Sequence, residues 1–402
     1  MTIGSELVQA DVTVVIPTFN RAQYIAFSID SILAQTVRPQ RVVVVDDGST
    51  DDTKKVLAPY HDTIEVFYRE NAGKAKALNG LLPSIKTQYV WFFDDDDVAL
   101  PNALSDLASA FSEDSELGFT FGDRFVSKAE GALRVEESVH RPYRFAKAFE
   151  QEQRLQLYHE CTIMMSGSLL RTQAVKEIGG LNETLDRAQD YDLMVRLASK
   201  YRFNYCGKPV YILRRHPGVR GTLRSQHQSH ETHRQWARYN RQIGFYIRYC
   251  IPIDSLATVT DNSSCPPSYR EALINRAWIL ANKLPLSYAI TDVEEACKLS
   301  PRTPLTKNEA LRLLEALTHD FTLHQGRFPL FRTLSLTLSH CGADAAVSLS
   351  KSLFWRARGV TSKTARWSLY LRASMIFGLG QIARQYHRAA SSFYNPKVSA
   401  DR

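Results

Sequence analysis

Cysteine is scarce in this sequence, and long apolar runs are missing. The 402-residue chain holds six scattered cysteines, with no CxxC pair and no histidine at zinc-finger spacing. This pattern argues against a disulfide-stapled secreted domain and against a structural zinc site. No stretch approaches the ~18 apolar residues of a transmembrane helix, and the amino terminus lacks the basic and apolar regions of a signal peptide. We therefore predict a cytoplasmic protein with reduced thiols.

The composition excludes several protein classes. The chain is 44% hydrophobic and 23% charged, so it is neither disordered nor collagen-like. Its net charge of +8 is unevenly distributed, because residues 1–200 carry −9, residues 201–250 carry +9 and residues 351–402 carry +9. An acidic first half is therefore followed by two basic segments, and the charge of each of these regions is interpreted separately.

Hydrophobic patterning predicts two domains. Short β-branched runs alternate with segments of helical spacing, which is typical of buried strands in an open, mostly parallel α/β sheet. Strands are predicted at 11–17, 41–46, 63–68, 89–94, 117–122, 162–170 and 209–216. After about residue 225 the strand patterns fade, and we predict a mainly helical region over 226–402. Its candidate helices are 226–249, 268–283, 306–318 and 345–357.

Polar residues follow three of the predicted strands. Thr18 and Asn20 follow the first, Asp46 and Asp47 end the second, and Asp94–Asp97 end a third. Ligands of open α/β sheets bind at the carboxyl ends of strands, so this edge is the predicted site.

Four consecutive carboxylates at Asp94–Asp97 repel one another unless a cation binds there. Their oxygen atoms suit Mg²⁺ or Mn²⁺. The alternative is a solvated acidic turn before the helix that follows.

Cationic residues offer two candidate phosphate contacts. Lys74 and Lys76 open a predicted helix after a glycine, and arginines cluster in the segment 214–224. Helix amino termini and basic side chains both favour phosphate. The alternative for each group is an ordinary solvated surface.

Several motifs together resemble the family 2 glycosyltransferases of the GT-A fold. They are PTFNRAQYIAFSIDSILAQT, VVVVDDGSTDDT, NAGKAKALNG, FFDDDDVALP and GGLNETLDRAQDYDLMVRLA, in that order. The resemblance spans roughly residues 11–225 and predicts a GT-A domain at 1–225.

The resemblance implies a role for individual residues. It places Asp190 as the general base, with Gln189 where the family has Glu, and Asp96 and His216 as metal ligands. The residues implied to contact the nucleotide sugar are Thr18, Asn20, Asp46, Asp47, Lys76, Asp94, Asp95 and Arg215.

The implied activity is inverting transfer of a sugar from a nucleotide-diphosphate donor, most commonly UDP in this family, with Mn²⁺ or Mg²⁺. The acceptor hydroxyl would belong to a glycan, a lipid-linked molecule or a protein, in cell-surface glycan synthesis. Two alternatives are a nucleotide-sugar-binding scaffold without turnover and a nucleic-acid-binding protein that uses the basic segments. Nucleic acid is not expected, because the acidic crevice repels a phosphate backbone.

The tail at 351–402 interleaves Lys and Arg with aromatic residues. Such a segment favours contact with an anionic membrane surface, which would place the protein on the inner face of the cytoplasmic membrane. The alternatives are packing on the acidic domain and binding of a partner protein or an anionic acceptor.

Overall fold

The computed structural model describes most of the chain up to residue 316. The described residues are 9–111, 114, 116–143, 146, 148–216, 232–257, 269–299, 306, 308–309, 312–313 and 316. They divide into two units at the boundary between Tyr239 and Asn240. The tail at 351–402, the segment 217–231 and the helix predicted at 345–357 lie outside the described residues.

The first unit is built on one sheet. Its strands are β1 (Gln9–Thr18), β2 (Arg38–Asp46), β3 (Glu65–Tyr68), β4 (Tyr89–Phe92), β5 (Val98–Ala99), β6 (Leu117–Ser127), β7 (Val139–Arg141), β8 (Ser168–Arg171) and β9 (Arg202–Arg214). The strand order is β3-β2-β1-β4-β8-β6-β9-β5, with β7 paired to β6. Strands β1 to β4 form a parallel block.

The sheet is mixed outside that block. Strand β8 runs antiparallel to both β4 and β6, and β9 runs parallel to β6. Among the described residues four strand pairings are parallel and four are antiparallel. The predicted α/β class is confirmed. The sequence does not indicate which strands run antiparallel, because a buried apolar run has the same pattern in either direction.

The apolar runs form strands because they are buried. Residues 12–18 of β1 and 42–46 of β2 are all buried, which explains why their sequences do not alternate with polar residues. Ile25, Ile29 and Ile32 recur at helical spacing and are fully buried against this sheet.

Seven helices of the first unit lie among the described residues. They are α1 (Ile25–Leu33), α2 (Thr53–Leu57), α3 (Lys74–Leu81), α4 (Ala103–Ser109), α5 (Glu150–His159), α6 (Thr172–Glu177) and α7 (Gln189–Lys200). The predicted strand at 162–170 begins only at Ser168, because Met165–Gly167 forms a 3-10 turn. Ser166 in that turn accepts hydrogen bonds from Trp91 and from the Asp94 amide instead of joining the ladder.

The second unit is helical in its described part. It includes most of α8 (Thr232–Cys250), together with α9 (Tyr269–Leu280) and α10 (Leu286–Leu299). Apolar side chains of α9 and α10 form its core, where Asp292 is fully buried and accepts hydrogen bonds from Arg248 and Arg276. Helix α10 was not predicted, and the candidate at 306–318 is described at only a few positions. Across the described residues, no helix combines the length and apolar character that crossing a membrane requires.

Candidate functional site

The carboxyl ends of the central parallel strands meet at one edge, as predicted. Thr18 ends β1 directly opposite Asp46 of β2, and the Asp47 amide donates to the Thr18 carbonyl at 2.9 Å. Strand β4 ends at Phe92, beside Val15 of β1. Residues 94–97 therefore continue the chain past the same edge.

Asn20 joins the first two loops of this edge. Its φ of 54° lies in the left-handed region, which asparagine tolerates better than most residues. Its side-chain oxygen accepts the Thr50 amide at 2.8 Å, and its own amide donates to the Ser49 hydroxyl at 2.9 Å. These bonds fix the loops that follow β1 and β2.

Asp46 and Asp47 are both buried and engaged by backbone amides. The Ser49 amide donates to Asp46 at 2.8 Å. The amides of Ala72 and Gly73 donate to the two Asp47 oxygens at 3.1 and 2.7 Å. In this structure the two carboxylates organise loops, and contact with a nucleotide stays a prediction.

The acidic residues divide into a group of three and one outlier. Asp94, Asp96 and Asp97 each offer a carboxylate oxygen, and these oxygens lie within 4.8 Å of one another. Asp95 instead faces Arg21, whose Nε lies 3.7 Å from its Oδ1. Several carboxylate oxygens at this spacing fit a small divalent cation such as Mn²⁺ or Mg²⁺. Asp97 is one of the four carboxylates that the sequence offered for a cation, although the family resemblance assigned the metal to Asp96 alone among them.

Two of these carboxyl groups have strongly raised pKa values. Burial, together with the neighbouring Asp96 charge, raises the pKa of Asp95 to about 7. Burial and the charges of Asp96 and Asp94 raise the pKa of Asp97 well above its ordinary value. The crowded negative charge is thus unfavourable by itself, which is the electrostatic condition under which a cation binds well.

The end of β9 brings a histidine and an arginine to the acidic group. His216 is buried, and its Nε2 lies 2.8 Å from Oδ2 of Asp96. Arg214 is also buried and donates from Nε to the Asp96 carbonyl at 2.9 Å. Arg215, which was predicted to contact the diphosphate, has an exposed side chain and donates its amide to Ser127.

Asp190 lies in the first turn of α7, after Ala188 in a left-handed conformation. Burial raises the pKa of the Asp190 carboxyl, and the positive charge of Lys74 opposes that rise. Gln189, which stands where the family has Glu, is buried and donates to the Leu185 carbonyl.

Lys74 connects the acidic group with Asp190. Its ammonium pairs with the Asp94 carboxylate. Burial lowers the pKa of Lys74, but Asp94, Asp190 and Asp95 together outweigh that effect and raise it. Lys76, predicted to lie near the donor phosphates, is exposed on the same helix, and its carbonyl accepts a bond from Arg69.

The first part of the chain matches a known protein family. Residues 13–179 match the family described as Glycosyl transferase family 2. The predicted GT-A class is in keeping with its α/β sheet. Asp190, Arg215 and His216 lie beyond the matched residues.

Several known proteins are similar in sequence or structure to part of this chain. An uncharacterised glycosyltransferase of Rickettsia typhi is 29% identical over 204 residues, which cover 47% of this chain and 60% of the relative. Chondroitin synthase of Pasteurella multocida is 27% identical over 206 residues, covering 50% of this chain and 20% of that enzyme. The chain therefore spans less than two thirds of the length of these relatives. The crystal structure of S. aureus TarS 1–349 in complex with UDP has a TM-score of 0.49 at 18% identity, and the match covers 79% of this chain and 92% of TarS 1–349.

Proposed function

We propose that the protein is an inverting glycosyltransferase that moves a sugar from a nucleotide-diphosphate donor, most simply a UDP-sugar, to an acceptor hydroxyl. The observation that carries this proposal is the position of Lys74, which pairs with Asp94 of the acidic group and also interacts electrostatically with Asp190. This supports placing the candidate cation site and the candidate base in one active centre. The family match over residues 13–179 supports the proposed class of enzyme.

In this proposal the donor nucleotide lies along the edge formed by Thr18, Asn20, Asp46 and Asp47. The loops there are fixed by side chain to backbone hydrogen bonds, so little ordering is needed when the donor binds. Lys76 and Arg215 are exposed beside this edge and remain candidates for phosphate contact.

Asp96, with Asp94 and Asp97 beside it, is the proposed holder of Mn²⁺ or Mg²⁺, and His216 is the proposed fourth member of the site. When bound, a divalent cation neutralises charge that develops on the leaving diphosphate. The oxygen-rich residue set matches the preference of both ions.

Asp190 is the proposed general base. It accepts the proton of the acceptor hydroxyl as that oxygen attacks the anomeric carbon, and the nucleotide diphosphate leaves from the opposite face. A single displacement of this kind inverts the anomeric configuration. Positioned general-base catalysis contributes about 10²–10⁴-fold in rate.

The acceptor class is proposed from the sequence alone. A glycan, a lipid-linked molecule or a protein in cell-surface glycan synthesis suits a cytoplasmic enzyme with a basic aromatic tail at 351–402. That tail would bring the enzyme to the inner face of the cytoplasmic membrane.

A panel of nucleotide sugars with Mn²⁺ tests the proposal, with thermal shift reporting donor binding and nucleotide diphosphate release reporting turnover. Asp190→Asn is expected to retain donor binding and lose at least about 10²-fold in transfer, because only the base is removed. Asp96→Ala is expected to lose the metal dependence of donor binding.

Full transfer activity of Asp190→Asn would refute the assignment of the base. Donor binding by the wild-type protein without nucleotide release, across a panel of acceptors, would instead favour the scaffold alternative. Salt-dependent DNA binding with no response to any nucleotide sugar would favour the nucleic-acid alternative.

A further inference from the structure

A buried arginine lies beneath the acidic group, where β9 ends. Arg214 is 1% exposed, although arginine is rarely buried to this degree. Its neighbour Arg215 is exposed, so the two arginines of one motif have different environments. The buried arginine is the one that contacts the acidic residues.

The guanidinium of Arg214 binds backbone carbonyls from two separate loops. Nε donates to the Asp96 carbonyl at 2.9 Å. Nη1 donates to the carbonyls of Ala129 and Gly131 at 2.7 and 2.6 Å. One side chain therefore ties the acidic loop to the loop that follows β6.

The Arg214 backbone and the next turn of chain contact the same acidic residues. The Arg214 amide donates to Oδ1 of Asp97 at 3.0 Å. Two residues later, His216 reaches Oδ2 of Asp96 at 2.8 Å. Arg214 and His216 thus contact neighbouring residues of the same acidic loop.

Two aromatic rings, one from helix α1 and one from the residue before it, pack against the guanidinium. The Arg214 Cζ lies 4.6 Å from the centre of the Tyr24 ring and 5.7 Å from that of Phe27. The Tyr24 ring also packs against His216, with the ring centres 5.1 Å apart. Aromatic faces stabilise a desolvated cation, and they restrict its orientation.

We propose that Arg214 is a positioning residue that holds Asp96, His216 and the 129–131 loop in the arrangement that binds the divalent cation. This inference rests on the proposed function for the identity of the site. Arg214 itself touches neither the cation nor the sugar, and it acts through the backbone of Asp96 and the placement of His216.

Arg171, which is half-buried, provides a control for the loss of an arginine that binds backbone carbonyls and packs on aromatic rings. Its Nε donates to the Leu117 carbonyl at 2.9 Å, and its guanidinium lies over the rings of Tyr89 and Phe111. Arg171 pairs with Tyr89 at the start of β4, whereas the acidic residues follow the end of β4. It therefore resembles Arg214 in chemistry but not in location.

The experiment compares Arg214→Met and Arg171→Met in the full chain. Mn²⁺ binding to the protein alone is measured by calorimetry, amide exchange is followed at 128–131, and unfolding temperature reports overall stability. Arg214→Met is expected to weaken Mn²⁺ binding about 10–100-fold and to speed exchange at 128–131. Arg171→Met is expected to lower the unfolding temperature while Mn²⁺ affinity stays within about twofold of wild type.

Two results overturn the proposal: a folded Arg214→Met protein with wild-type Mn²⁺ affinity, or an equal loss of affinity in both variants. If Arg214→Met does not fold, Arg214→Lys is used for the test. Lysine keeps the positive charge but lacks the planar guanidinium that donates to all three carbonyls. Faster exchange at 128–131 with weaker Mn²⁺ binding in Arg214→Lys supports the proposal, and wild-type behaviour overturns it.

The failure of the proposed function has a different signature. A wild-type chain that binds Mn²⁺ but transfers no sugar would refute that function and leave the test of Arg214 intact. A wild-type chain with no Mn²⁺ affinity would overturn the cation site, and the role of Arg214 with it.

Discussion

The folded structure disfavours the ionised form of two carboxyl groups in the candidate site. Asp97 is buried and Asp95 is half-buried beside other aspartates, and the pKa values of both are raised. An aspartate whose pKa is higher in the folded protein than in the unfolded chain makes folding less favourable as the pH rises toward the folded value. The site therefore reduces the stability of the metal-free protein at neutral pH.

Asp95→Asn is expected to stabilise the protein in EDTA. Asp95 has a pKa of about 7 in the folded protein. Its ionisation therefore lowers the free energy of unfolding very little near pH 4 and by the full amount above pH 7. The stabilising effect of the substitution should therefore grow from about pH 4 to about pH 7 and then level off, reaching about 2–4 kcal/mol at about 1.4 kcal/mol per pKa unit. Urea unfolding of both proteins at pH 5, 6, 7 and 8 measures it.

Asp62→Asn, at an exposed aspartate, serves as the control for this measurement. A stabilisation by Asp95→Asn that does not change with pH would show that the substitution acts through packing instead of charge.

Lys74→Met is expected to shift the acid limb of the pH–rate profile. A base must be ionised to act, so activity falls as the pH decreases through the pKa of Asp190, which burial already raises. Because Lys74 opposes that rise, its removal should move the acid limb to still higher pH. The measurement is kcat/KM of transfer between pH 5 and pH 9.

Lys76→Met is the matched comparison on the same helix, since Lys76 is exposed and two residues away. It should leave the acid limb where it is, and an increase in donor KM would support the predicted phosphate contact. Equal shifts in both variants would mean that the pKa of Asp190 depends on the net charge of the protein and not on the position of Lys74.

At the scale of elements, loop geometry depends on one glycine between β2 and α2. Gly48 has a φ of +83°, and a Cβ atom there would lie 2.8 Å from the Asn71 amide nitrogen. A larger residue at this position would have a strained backbone and too little space for its side chain. The turn after Asp46 and Asp47 therefore requires glycine.

Gly48→Ala is expected to lower the free energy of unfolding by about 1–3 kcal/mol through backbone strain, with a further loss from the contact with Asn71. Donor KM should rise, because the displaced loop carries Asp47. Thermal unfolding and donor titration measure the two effects.

Gly207→Ala separates the two causes, since Gly207 has a φ of +76° with open space around it. It should show the strain without the contact and without a change in donor KM. If Gly48→Ala were no more destabilising than Gly207→Ala, the close approach to Asn71 would carry no cost.

Sequence alone predicted the elements better than it predicted the side chains that connect them. The first strands and the edge with Asp46 and Asp94 follow from local apolar runs and from where those runs end. The sequence does not show which of Lys74 and Lys76 faces the sheet edge. Residues two apart on a helix lie about 200° apart, so only one of the two can do so.

The same limit applies to strand β9. Neighbouring residues of a strand point to opposite faces, so one of Arg214 and Arg215 had to point inward. Both faces of β9 near its end are apolar, with Val210, Tyr211 and Ile212 all buried, so alternation gave no basis for the choice. Only the three-dimensional register resolves it.

At the scale of the molecule, the helical unit has its own core and its own buried ion pairs. Asp292 is fully buried and is paired with Arg248 and Arg276. Removing one partner of such a buried pair costs several kcal/mol, so this unit depends on its charged residues as well as on its apolar contacts.

Deletion of residues 351–402 tests the proposed membrane contact. The full chain is expected to sediment with vesicles containing anionic lipid, and to be released by salt, because each Lys or Arg near the surface contributes about 1 kcal/mol. The shortened chain should remain in the supernatant. Neutral vesicles are the control, and equal binding of both chains to anionic vesicles would remove the proposal.

One short segment, residues 72–74, links the two ends of the proposed active centre. The amides of Ala72 and Gly73 hold Asp47, and the next side chain, Lys74, holds Asp94. A substitution in this segment made to change which nucleotide is accepted will therefore also move the charge that faces Asp190. Engineering of donor choice in this protein should leave residues 72–74 intact and vary the neighbouring positions instead.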